Sequence, residues 1–93
     1  MGKRILVVDD EKELVDTVAD YLRQAGYRPI KAYDGQSALA AFQEKVPALA
    51  ILDLGLPDMD GLDLAKEIRR QSQVPFIMLT ARSQEIDRIV GLE

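Results

Sequence analysis

Two runs of aliphatic residues end on carboxylates. Ile5-Leu6-Val7-Val8 delivers Asp9-Asp10, and Ala48-Leu49-Ala50-Ile51-Leu52 delivers Asp53. An ionised carboxylate is costly to bury alone, so an acid at the end of a buried strand belongs in an open crevice, on a cation, or among hydrogen-bond donors. Three acids crowded into one crevice repel one another, and without compensation one of them takes up a proton. A divalent cation removes that conflict. The chain has no histidine and no cysteine, so imidazole and thiolate ligands, disulfides and the usual general base are excluded. All-oxygen ligation selects a hard ion; a few carboxylates with water suit Mg2+, with Mn2+ as a substitute. With the charge so screened, one carboxylate can attack phosphorus and form an aspartyl phosphate. Thr80, at the end of a further apolar run, is placed to donate a hydrogen bond to such a phosphoryl group.

The elements that must position these groups follow from periodicity. Lys3 to Asp10 reads as a strand. From Glu11 the spacing turns helical, with Leu14, Val15, Val18, Ala19 and Leu22 on one face and Gly26 as the stop. Arg28 to Ala32 is a short strand whose Pro29 confines it to a sheet edge or a strand start. Asp34-Gly35 reads as a turn, followed by a helix from Ser37 to Lys45 that ends at Val46-Pro47. The five apolar residues before Asp53 read as a strand buried on both faces. After it, Gly55 lets backbone approach a ligand, Pro57 fixes a turn, and Asp60 caps a helix over Leu62 to Arg70, with Asp63 three residues on. Val74 to Leu79 is a second strand expected to be buried on both sides, and Gln84 to Leu92 begins a fourth helix.

The order β α β α β α β α calls for right-handed crossovers, which place helices on both faces of a parallel sheet. With the second strand at an edge, the expected fold is α/β, a flavodoxin-like three-layer sandwich with strand order 2-1-3-4. That order sets the first and third strands side by side and gathers Asp9, Asp10 and Asp53 at the switch point, where open parallel sheets bind ligands.

Bulk properties agree with one small domain spanning residues 1–93. Its 47% hydrophobic and 30% charged residues are those of a globular protein. No signal-length or membrane-length apolar stretch occurs, so a cytoplasmic location is expected. A net charge of −4 argues against direct nucleic-acid contact by this chain.

Val7-Val8-Asp9-Asp10-Glu11, Leu52-Asp53-Leu54-Gly55-Leu56-Pro57-Asp58-Met59-Asp60-Gly61 and Leu79-Thr80-Ala81-Arg82, in this order and spaced by βα units, resemble the receiver domain of two-component response regulators. The resemblance implies that Asp53 accepts a phosphoryl group from a phosphohistidine on a sensor histidine kinase. It further implies that Asp10 binds Mg2+ directly, Asp9 largely through water, and the Gly55 backbone carbonyl as a further ligand. Thr80 would contact the phosphoryl oxygens and act as the switch residue, with Ala81 leaving room beside them. The protein would then be no turnover enzyme but a phosphoacceptor that assists its own phosphotransfer, with weak self-dephosphorylation. The style of the sequence also resembles receivers joined to a winged-helix DNA-binding domain, which implies a transcription regulator as parent.

One departure accompanies the match. Family members continue into a fifth strand that carries a lysine contacting the phosphoryl group. No residue here corresponds to it, since Lys45 ends the second helix and Lys66 lies in the third. The chain is accordingly read as a receiver incomplete at its C-terminus, with self-association through the fourth-strand edge, or exchange of elements between copies, as the expectation. The alternative function is a non-phosphorylatable assembly module using that edge. A phosphohydrolase is disfavoured, because position 55, where such enzymes carry a second acid, is glycine. Plainer roles exist for several residues. Asp9 and Asp10 can serve a strand-to-helix turn; Asp58, Asp60 and Asp63 are assigned to turns and caps without a site role; Met59 and Met78 are assigned to packing; Arg82 and Arg88 are assigned to solvated charge.

Overall fold

The computed structural model describes residues 2–79. Seven elements alternate: β1 (Arg4–Val8), α1 (Lys12–Gln24), β2 (Arg28–Ala32), α2 (Gly35–Glu44), β3 (Leu49–Asp53), α3 (Gly61–Gln71) and β4 (Phe76–Leu79). The fourth helix expected over Gln84 to Leu92 lies outside the described residues. The four strands form one parallel sheet in the order β2-β1-β3-β4, the flavodoxin-like arrangement expected. Pro29 explains β2's place at the edge, because a residue without an N–H is tolerated where only one side of the strand is paired.

Period-two alternation divides β1 between two cores. Leu6 and Val8 face α2 and α3, joining Ala38, Phe42, Leu52, Leu64 and Ile68, whereas Ile5 and Val7 face α1 and meet Val15, Val18 and Leu22. The sheet is therefore the middle of three layers. Every residue from Ile5 to Val8 is buried, as a strand covered on both sides requires.

The expectation of two-sided burial fails for the other two apolar strands. Ala50 and Leu52 of β3 are buried against α2 and α3, but Leu49 and Ile51 are only half-buried on the α1 side. In β4 Met78 is buried while Ile77 is 53% exposed. The reason is coverage: among the described helices only α1 lies on that face, and it packs on β1 and β2.

Helix boundaries show what side chains do at helix ends. Gly26 has φ 94°, the left-handed conformation that closes α1 just after its last turn. At α2 the expected start at Ser37 is two residues late. Asp34 is the N-cap, its carboxylate accepting from the Ser37 N–H at 2.8 Å, so Gly35 is the first helical residue rather than part of a turn. Asp60 caps α3 by accepting from the Leu62 N–H at 3.1 Å, and Arg69 and Arg70 occupy its last turn, where cations suit the helix dipole. No helix among the described residues is long and apolar enough to cross a membrane.

Candidate metal centre

The acids are brought together by strand register. β1 and β3 run parallel with Val8 opposite Leu52, so Asp9 and Asp53 emerge at the same level from neighbouring strands. The Asp9 N–H still donates to the Ala32 carbonyl at 3.2 Å, holding the end of β1 against β2. Asp10 follows directly. One carboxylate oxygen from each of Asp9, Asp10 and Asp53 lies within 4.8 Å of the others.

The three acids differ in environment. Asp9 is 4% exposed, Asp53 half-buried and Asp10 exposed. The Glu11 N–H donates to Asp9 Oδ1 at 2.9 Å, which fixes that carboxylate at the turn into α1. Burial pushes the Asp9 carboxyl up from 3.8 to about 6; the Glu11 amide opposes this, while the Asp53 charge and the neighbouring Asp10 add to it. Burial is thus the main reason that the Asp9 carboxyl resists ionisation, and the neighbouring acids add to it.

The donors fit a hard divalent ion. They are all carboxylate oxygens, they converge from two elements, and their spacing admits a small cation that keeps part of its water shell. Asp53 ends β3 and belongs to the same cluster of carboxylates.

The loop after Asp53 is tightly folded. The Gly61 N–H donates to the Leu54 carbonyl at 2.8 Å, and Gly55 and Asp60 form an antiparallel bridge, so residues 54–61 turn back on themselves. At Gly61 the first turn of α3 presses on the end of β3; a Cβ there would collide with the Asp53 carbonyl and come within 2.7 Å of the Leu54 Cα. Gly55 sits exposed in this loop with open space where a side chain would project. Of the residues singled out from sequence, then, Asp9, Asp10 and Asp53 converge, Gly55 lies two residues beyond the last of them, and Thr80, Ala81 and Arg82 lie outside the described residues.

Gly61 and Asp58 hold the surroundings of Asp53 and its loop in ways their local sequence does not plainly announce. From sequence Gly61 reads only as the point near which a helix starts. Its signal was present: a glycine in a helical first turn costs helix propensity, and Asp60 already supplies the cap, which leaves close packing as the reason for it. From sequence Asp58 reads as a turn or cap residue, but its carboxylate spans 22 and 23 residues to accept from Gln36 N–H at 2.9 Å and Gly35 N–H at 2.6 Å. Those two amides, Gly35 foremost, hold the Asp58 carboxyl below its ordinary value. No local spacing encodes a cap supplied from so far along the chain.

Comparison with known proteins agrees with the fold. Residues 5–93 match the family described as response regulator receiver domain. The receiver domain of the Francisella response regulator 1452 is 28% identical, with a TM-score of 0.86 over 98% of this chain and 76% of that one. The N-terminal domain of a response regulator receiver protein from Methanoculleus marisnigri is 35% identical, with a TM-score of 0.85 over 96% of this chain and 76% of that one. The response regulator TrrA of Thermotoga maritima, solved in complex with Mg(2+)-BeF, is 37% identical, with a TM-score of 0.81 over 92% of this chain and 79% of that one.

Proposed function

Since the chain belongs to the response regulator receiver domain family of two-component signalling, we propose that it is a Mg2+-dependent phosphoacceptor in which Asp53 takes a phosphoryl group from the phosphohistidine of a sensor histidine kinase. The observation that carries this reading is the convergence of three carboxylates from β1 and β3 within 4.8 Å. In the transfer an Asp53 carboxylate oxygen forms the new bond to phosphorus as the phosphorus–nitrogen bond to histidine breaks, leaving an acyl phosphate and a neutral imidazole once a proton is returned.

The chain's own groups prepare that step. Asp53 is half-buried, so it is accessible to a donor yet held by the ladder of β3. Asp10 and Asp53 would hold the cation directly and Asp9, fixed by the Glu11 amide, largely through water, with the Gly55 carbonyl as a further ligand. Bound Mg2+, or Mn2+ in its place, supplies the positive charge that relieves the three acids and offsets charge on the transferring phosphoryl oxygens. Thr80 is assigned the phosphoryl contact and the switch role. The chemistry is a single transfer rather than turnover of a free substrate, and the parent protein is assigned to transcription regulation through a winged-helix partner domain.

Intact-mass measurement tests the reading. Incubation with acetyl phosphate and Mg2+ is expected to add one phosphoryl group, lost in Asp53→Asn and on chelation. A folded, self-associating chain that gains no mass would favour the assembly module instead.

A further inference from the structure

The loop that carries Gly55 is anchored at its tip to a helix that contributes nothing to the acidic cluster. Three N–H groups at the start of α2 are satisfied by carboxylates. Asp34 takes Ser37 from within the segment, while Asp58 takes Gly35 and Gln36 from across the structure. Beside this clasp Met59 packs into the core against Gly35, where any Cβ would collide with the Met59 side chain. The base of the same loop is closed by the Gly61–Leu54 hydrogen bond and the Gly55–Asp60 bridge. Base and tip are thus both held, Gly55 as part of the base and Asp58 at the tip.

We infer that Asp58 is a positioning residue for the metal centre: by clasping the first two amides of α2 it fixes the loop of residues 54–60, and with it Gly55, whose backbone carbonyl is the proposed further ligand. This rests on the proposed function above for the role of Gly55. The physical reason is preorganisation. Two hydrogen bonds accepted by one carboxylate fix both the position and the rotation of the loop tip, so the backbone beyond Asp53 does not have to be ordered when the ion arrives. Asp34 provides an internal control, because its carboxylate caps the same helix end by accepting from Ser37, within its own segment.

The test is a calorimetric Mg2+ titration of the intact chain and its variants, with helix content followed by circular dichroism and phosphorylation by acetyl phosphate measured alongside. Asp58→Ala is expected to weaken Mg2+ binding about tenfold, the lower end of what loss of an outer-shell partner costs. Asp58→Asn, with one acceptor oxygen in place of two, should fall between Asp58→Ala and the unaltered chain, and it decides the matter if Asp58→Ala does not fold. Asp34→Ala should lower thermal stability and leave Mg2+ affinity unchanged. The inference is overturned if both Asp58 variants that fold bind Mg2+ as the unaltered chain does, or if Asp34→Ala weakens binding equally, which would make the effect one of helix stability. Absence of a phosphoryl adduct on the unaltered chain, with the Asp58 effect on Mg2+ intact, would instead refute the proposed function and leave the clasp standing.

Discussion

Asp9 sets a conflict between burial and charge inside the crevice, and its consequence for stability has a definite sign. The native carboxyl titrates near 6 and the unfolded one near 3.8, so between those values the native state holds a proton that the unfolded state has released. Stability of the metal-free protein should therefore fall as pH rises from about 4 to about 6 and level off above, by at most about 3 kcal/mol. Denaturant melts in chelator across that range check this, and Asp9→Asn should flatten the profile and raise stability at neutral pH; an unchanged profile would contradict the placement of Asp9. Asp58 works in the opposite direction. The Gly35 and Gln36 amides favour its ionised form, so its contribution is present above the ordinary carboxyl value and is lost as pH falls through the lowered native one. These roles were unequally legible. A strand ending in acid announces Asp9, Asp10 and Asp53, whereas the partners of Asp58 lie in another element and leave no mark in its neighbourhood.

Elements place these groups by packing and close approach. Phe42, 2% exposed, joins α2 to the sheet, and Phe42→Ala should cost about 3 to 5 kcal/mol in a denaturant melt, a large part of what a domain this small can hold. At Gly61 two effects compete. Alanine would gain about 1 kcal/mol of helix propensity, but its Cβ would meet the Asp53 carbonyl and the backbone of Leu54, which cannot yield as a flexible side chain can. The collision wins, so Gly61→Ala should lower both the melting temperature and the rate of phosphorylation; a stabilised variant would show that α3 can shift without disturbing β3. The sequence announces α1 and α3 through their apolar stripes and stop signals. It misplaces the start of α2, because Asp34-Gly35 has the composition of a turn and only the Ser37 amide reveals the cap. Apolar runs in β3 and β4 predict burial on two faces, yet Ile77 is exposed: composition reports what a strand tolerates, and coverage depends on where helices lie.

At the scale of the whole molecule, one edge proline and the rule of right-handed crossovers lead to the order β2-β1-β3-β4, and that order alone makes neighbours of acids more than forty residues apart. Metal binding should consequently act on the fold as a unit. If only the native state binds, Mg2+ at a hundred times its dissociation constant should stabilise the protein by about 2.7 kcal/mol, and the gain should vanish in Asp10→Asn. Equal melting temperatures with and without Mg2+ would contradict a shared site.

Trapping the acyl phosphate is the most direct examination of the central claim. The chain is treated with acetyl phosphate, reduced with borohydride and digested, and the modified residue is read by peptide mass spectrometry. Modification at Asp53 that requires Mg2+ is the predicted result; modification elsewhere, or none in a folded protein with Mg2+ bound, would contradict it.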